Sequence, residues 1–159
     1  MPRKKTKSLI RDIQPDRIYN NVQIQRVINR VMLDGKKQIA ERLVYGGMEK
    51  AAKKLKVDNP LEVFEQAFKN IQPHVETRSR RVGGANYQIP FEVKGQRQQH
   101  LTTMWFVAAA RARHGMSMQD RIAAELMDAY NGQGAAVKKR EDVHKMADAN
   151  RAFAHFARV

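Results

Sequence analysis

A single, mainly α domain of about six helices, with one protruding β-hairpin between the third and the fourth, is the fold class this sequence predicts. Three observations carry it. Apolar residues recur at helical spacing in successive segments from Val22 onward. Between Pro73 and Lys94 that period gives way to alternation on either side of Gly83-Gly84. The chain, 159 residues and 42% hydrophobic, has the size of one compact domain, which buries roughly 70% of its unfolded surface.

The opening stretch, MPRKKTKSLIR, holds Arg3, Lys4, Lys5, Lys7 and Arg11, with no acid and too few apolar residues to fold alone. Residues 1–15 are therefore expected to form a basic arm and residues 16–159 the helical domain. In the first helix Ile24, Val27, Ile28, Val31 and Met32 share a face until Asp34-Gly35 stops it. A second begins near Lys36, with Ile39, Leu43, Val44, Met48, Ala51, Ala52 and Leu55 as its apolar side. Gly46-Gly47 lies inside it, at a cost of ~1 kcal/mol per glycine relative to alanine unless close packing offsets that. The third helix has the clearest start: Asn59 to cap it, Pro60 in the first position and Glu62 for a capping box. Leu61, Phe64, Ala67, Phe68 and Ile71 form its stripe, and Pro73 ends it.

The hairpin is expected at about residues 74–93, with Gly-Gly supplying the positive φ angles of a two-residue turn. Tyr87, Ile89, Phe91 and Val93 share one face of its second strand. Pro90 cannot donate to a central ladder, so the hairpin should stand as an edge ribbon. The fourth helix turns Leu101, Met104, Trp105, Ala108, Ala109 and Ala112 inward. The fifth starts at Ser117 with Asp120 completing the cap, and packs through Ile122, Ala123, Leu126 and Tyr130. The last, from about Ala136, carries Val143, Met146, Ala147, Asn150 and Phe153 inward, before a short tail.

Charge separates the function classes. Thirty Lys and Arg face sixteen Asp and Glu, a formal net charge of +14, which repels itself unless a polyanion relieves it. Nucleic acid is the leading partner. No apolar run reaches the ~18 residues of a spanning helix and no signal-peptide core is present, so a soluble, cytosolic protein without a membrane partner is expected. Cysteine is absent, which excludes disulfides, thiolate nucleophiles and cysteine-ligated metals. His74, His100, His114, His144 and His155 fall in separate segments without metal spacing, and no Walker or dinucleotide glycine loop occurs. Neither catalysis nor a cofactor, metal or small-molecule substrate is expected.

Basic clusters recur where elements turn or end: Lys36-Lys37, Lys53-Lys54, Arg78/Arg80/Arg81, Lys94/Arg97, Arg111/Arg113 and Lys138-Lys139-Arg140. Each alone reads equally well as a solvated patch; together they suggest separated phosphate contacts on a folded RNA or a bent DNA. In the hairpin Arg78 and Arg80 share a face and Arg81 takes the other. Tyr87 is either packed on the ribbon or open to a base, packing being the commoner role. A DNA architectural protein and an RNA-modifying enzyme are the alternatives; no motif supports the second.

LDGKKQIAERLVYGGME, SRRVGGANYQIPFEV, VKKREDVHKMADANRAFAHF and the basic arm together resemble the ribosomal protein seven family of the bacterial small subunit. That resemblance implies a six-helix fold with a β-hairpin in the subunit head, cytoplasmic, binding the 3′ major domain of the small-subunit rRNA and nucleating head assembly. It further implies neighbours in the exit-site tRNA, the mRNA path and small-subunit proteins nine and eleven. By matching motif, rRNA contacts fall to Arg3, Lys4, Lys5, Lys36, Lys37, Arg78, Arg80 and Arg81, with Arg111, Arg113, Lys138, Lys139 and Arg140 as further contacts. Val82, Gly83, Gly84, Ala85, Asn86 and Tyr87 at the tip, and Arg151, Phe153 and His155 near the end, would face the tRNA and the platform. Met104 stands where the family commonly has arginine, a gap that either Arg97 or His100 would fill. Replacing Arg80 and Arg81 by alanine is expected to weaken RNA binding and leave helicity intact.

Overall fold

The computed structural model describes residues 12–158, which leaves the basic arm through Arg11 outside the described residues. Its elements are α1 (Val22–Val31), α2 (Lys37–Leu55), α3 (Pro60–Ile71), β1 (Val75–Val82), β2 (Ala85–Glu92), α4 (Gly95–Ala112), α5 (Met118–Tyr130), α6 (Ala135–Ala149) and a 3₁₀ helix (Arg151–Arg158). The mainly α class and the hairpin between α3 and α4 are as the sequence predicts.

Polar side chains begin three of the helices. Asn21 Oδ1 accepts from the N–H groups of Gln23 (2.8 Å) and Ile24 (3.4 Å) to start α1, Asn59 Oδ1 accepts from Leu61 (3.0 Å) with Pro60 behind it, and Ser117 Oγ accepts from Asp120 (3.3 Å). Asp16, itself buried, organises the turn before α1 by accepting from the N–H groups of Ile18, Tyr19 and Asn21 and from the hydroxyl of Tyr45. Between α1 and α2 the chain reverses through Asp34 and Gly35 at φ +52° and +73°.

The glycine pair inside α2 is a packing device. A Cβ on Gly47 would lie 2.7 Å from Ile122 Cγ2 and 3.2 Å from the Gln119 carbonyl, so α2 and α5 approach closer than any larger residue allows. α3 joins the same core through Phe64 and Phe68, whose rings stack at 4.0 Å, and Phe68 meets Phe106 of α4 at 5.1 Å.

Three elements depart from the one-face reading. α4 buries Leu101, Thr102, Thr103, Trp105, Phe106, Val107, Ala109 and Ala110, while Ala108 and Ala112 are exposed. It packs against α1, α3, α5 and α6, and a helix surrounded by neighbours has no single apolar stripe. On α2, Ile39 in the first turn is 54% exposed. On α6 only Ala136, Val137 and Ala147 are buried, Met146 is 47% exposed, and the helix stops at Ala149. Phe153 therefore belongs to the 3₁₀ helix and packs on the hairpin rather than along α6.

The hairpin is a lone antiparallel pair with Val82 opposite Ala85, Arg80 opposite Tyr87, Arg78 opposite Ile89 and Glu76 opposite Phe91. Gly83 and Gly84 turn it at φ +57° and +90°. Directly opposed residues share a face, so Glu76, Arg78 and Arg80 lie with Tyr87, Ile89 and Phe91, and Arg81 lies with Asn86 on the other side. At the root His144 Nε2 of α6 accepts from the His74 backbone N–H (3.2 Å) and Gln98 donates to the Pro73 carbonyl (2.8 Å).

Candidate nucleic-acid interface

The predicted cations fall into two populations, and buried carboxylates divide them. Glu76 has the parity of the ribbon's apolar face and its side chain is 8% exposed. Its Oε2 accepts from Arg97 Nε (3.1 Å) and Nη2 (2.9 Å), and Oε1 accepts from Arg78 Nε (2.6 Å), whose guanidinium also covers the Phe91 ring at 5.3 Å. Burial opposes ionisation of Glu76, but the bonds and charges of Arg97 and Arg78 more than offset it, holding its carboxyl below the ordinary range. This fork ties β1 to the first turn of α4.

Glu125 does the same at the C-terminal end of α4. Its side chain is 0% exposed, and Oε2 accepts from Arg113 Nε (2.9 Å) and Nη2 (2.7 Å) while Oε1 accepts from the Ala136 backbone N–H (3.0 Å). Arg113 also bonds Asp128. Burial disfavours the arginine's charge, yet Asp128 and Glu125 raise its pKa above the usual value. One carboxylate thus anchors the α4–α5 turn and the start of α6 together.

Other predicted contacts are partly spent. Arg140 donates to the Asn70 carbonyl at the end of α3 and lies 3.5 Å from Glu141. Arg111 donates to the Arg30 carbonyl (3.0 Å), and Arg80 to the Phe156 carbonyl (3.1 Å). Lys36 and Lys37 remain available: each sits 3.8 Å from an acid, Asp34 and Glu41, with more than half of its side chain exposed. Such loose surface pairs are worth ~0–1 kcal/mol and yield readily to a phosphate. The side chains of Arg81, Lys138 and Lys139 are exposed and make no ion pair or hydrogen bond among the described residues. Arg3, Lys4 and Lys5 lie outside the described residues.

The structure brings together the two segments assigned to the tip and the tail. The Tyr87 ring lies 5.0 Å from Phe153 and 5.6 Å from Phe156, so it packs, and the His155 ring lies 4.0 Å from Phe156. Gly83, Gly84, Ala85, Asn86, Arg151 and His155 are exposed around that cluster, beyond the closing residue of β1, Val82. Arg97 is held by Glu76, whereas His100 lines a cleft with Met104, Arg26 and Arg30.

Sequence reading missed Asp16, Glu76, Glu125, Arg26 and Arg30. A usable signal existed for two of them. Glu125 falls three residues after Ile122 and four before Ala129, on the apolar stripe of α5, and Glu76 has the parity of an apolar face; an acid in such a place needs a cation. Among the described residues no group of three or more metal-ligating side chains gathers, and no helix is long and apolar enough to cross a membrane.

A helical body that buries Glu76 and Glu125 under its own arginines, and leaves cations exposed on a turn, a helix start and a ribbon, has the character of a nucleic-acid-binding protein. The sequence profile of the family described as ribosomal protein S7p/S5e matches residues 2–151. A small ribosomal subunit protein uS7 of Symbiobacterium thermophilum is 56% identical over 146 residues, spanning 92% of this chain and 93% of the relative. The uS7 protein of Moorella thermoacetica is 55% identical over 146 residues (92% and 93%), and that of Kosmotoga olearia 52% over 153 (96% and 98%). The chain belongs to the ribosomal protein S7p/S5e family, whose members are structural ribosomal components and not enzymes.

Proposed function

We propose that the chain is a structural constituent of the small ribosomal subunit that binds the 3′ major domain of its rRNA, nucleates assembly of the head, and lies beside the exit-site tRNA and the mRNA path. It acts without chemistry, by neutralising and fixing several RNA segments at once. The observation that carries this reading is the unspent charge: Arg81 on the ribbon, Lys138 and Lys139 at the start of α6, and Lys36 and Lys37 at the start of α2 are exposed on three separate elements. Folded RNA presents phosphates from different helices in just such a separated array. The arm cations Arg3, Lys4 and Lys5 add to them.

Arg97 and Arg113 hold the frame that spaces these contacts, and Arg78, Arg80, Arg111 and Arg140 contribute from positions already fixed by an internal bond. The glycine tip, Asn86 and the Phe153–His155 region form the end presented to tRNA and platform, and small-subunit proteins nine and eleven are further partners. The test is titration of the full chain with folded 3′ major-domain RNA between 50 and 200 mM salt. Affinity should fall with a log–log slope of roughly −0.7 to −0.9 per phosphate contact. A flat salt response, or a preference for duplex DNA in competition, overturns the reading.

A further inference from the structure

The first turns of α4 and the outer side of α1 leave an open cleft of about 450 Å³. Arg26, Asn29 and Arg30 line it from α1, and Gln96, His100 and Met104 from α4. Every other cleft described on the surface includes a carboxylate in its wall; this one has none. Neither Arg26 nor Arg30 ion-pairs with a carboxylate among the described residues. Arg26 spends one nitrogen on Gln99 Oε1, yet its Nε is buried without any partner, and a buried donor left unbonded is unusual enough to need a reason. The helix start beside it has no side-chain cap and no acid in its first turn, so the positive end of the α4 dipole adds to the same field.

The walls are not uniformly cationic. Met104 and Ile13 supply an apolar surface, the amide of Gln96 offers both donors and acceptors, and Asn29, whose Oδ1 accepts from Gln25 Nε2 (2.8 Å), offers its amide donors. A bare phosphate would use the arginines and leave the rest empty. A flat heterocycle with polar edges, attached to a phosphate, uses all of it: ring against Met104 and Ile13, edge toward the amides, phosphate toward Arg30 and His100.

We infer that this cleft is a receptor for one unstacked nucleotide of the bound RNA, held with its phosphate. The inference rests on the RNA-binding reading above and adds a specific pocket to it. A base turned out of its helix here adds recognition of one unpaired nucleotide, which phosphate contacts, setting register and orientation, do not supply.

Asn29→Trp fills the cleft without changing charge, and Arg30→Gln with His100→Gln removes the guanidinium and the imidazole from its rim at two exposed positions. Both, and the full chain as it is, are titrated with folded 3′ major-domain RNA and with a continuous RNA duplex lacking unpaired nucleotides, after circular dichroism confirms helicity. Asn29→Trp should lose about tenfold in affinity for the folded RNA with its salt slope unchanged, and bind the duplex as before. The rim variant should lose a comparable factor, which keeps the test open should the tryptophan unfold the chain. Adenosine monophosphate, followed through the His100 ring resonances, should bind more tightly than inorganic phosphate. Undiminished affinity of both variants for folded RNA, with the salt slope intact, overturns the pocket and leaves RNA binding standing. Equal binding of monophosphate and inorganic phosphate likewise overturns it, in favour of a plain anion site. Loss of the salt slope in the unmodified chain brings down the underlying reading instead.

Discussion

The two faces of the β1–β2 ribbon employ arginine in opposite ways. On the Tyr87 face, Arg78 is fastened to a buried Glu76 and Arg80 to the Phe156 carbonyl. On the other face the Arg81 side chain stands exposed beside Asn86, with no partner among the described residues. The same division recurs between Arg113, locked on Glu125, and Lys138-Lys139, free one turn into α6. Net charge of +14 therefore overstates what a partner can use, and position relative to a buried acid decides which cations build the fold and which are left to bind.

That division breaks most visibly at Arg113. Arg113→Ala strands a fully buried Glu125 charge and should cost about 3–5 kcal/mol in urea denaturation, while the folded fraction keeps its RNA salt slope. Glu76→Gln should cost less, about 1.5–3 kcal/mol, because both of its arginines are more than half exposed and can turn to water. Its contribution also depends on pH: the folded carboxyl titrates below the unfolded one, so the stabilisation is present above about pH 4.3 and is lost as pH falls toward the folded value.

A smaller effect sits at the hairpin root. Burial, then Arg140 and His74 beside it, hold the His144 pKa below the ordinary histidine value, against the opposing pull of Asp148. Below about pH 6.5 the unfolded chain then binds the proton more readily than the folded one, so stability falls as pH drops. His144→Gln should flatten that part of the melting-temperature profile between pH 7 and 5. The smallest effect on stability belongs to Lys36→Ala with Lys37→Ala, within about 0.5 kcal/mol, although the RNA salt slope should lose up to two contacts.

Local chemistry made much of this fold legible. Asn59-Pro60, Ser117 and Gly83-Gly84 act where the sequence places them, because caps and two-residue turns are decided within four residues. The two-residue turn even fixes the register that opposes Arg80 to Tyr87. What covers each face was not legible. Arg97 meets Glu76 across 21 residues and Arg113 meets Glu125 across 12, and α4 is buried all round by neighbours its own periodicity does not announce. For the same reason the cations could be counted in advance but not sorted, and the cleft of Arg26 and Arg30, formed by two helices some seventy residues apart, left no local trace.

Sorting them is what the salt dependence of binding to folded 3′ major-domain RNA measures most directly. Arg81→Ala with Lys138→Ala and Lys139→Ala should reduce the slope by roughly two to three units with an unchanged melting temperature, whereas Arg97→Ala should lower the melting temperature and leave the slope alone. A slope that survives the first substitution set and collapses with the second would contradict the division between cations that build the fold and cations that bind.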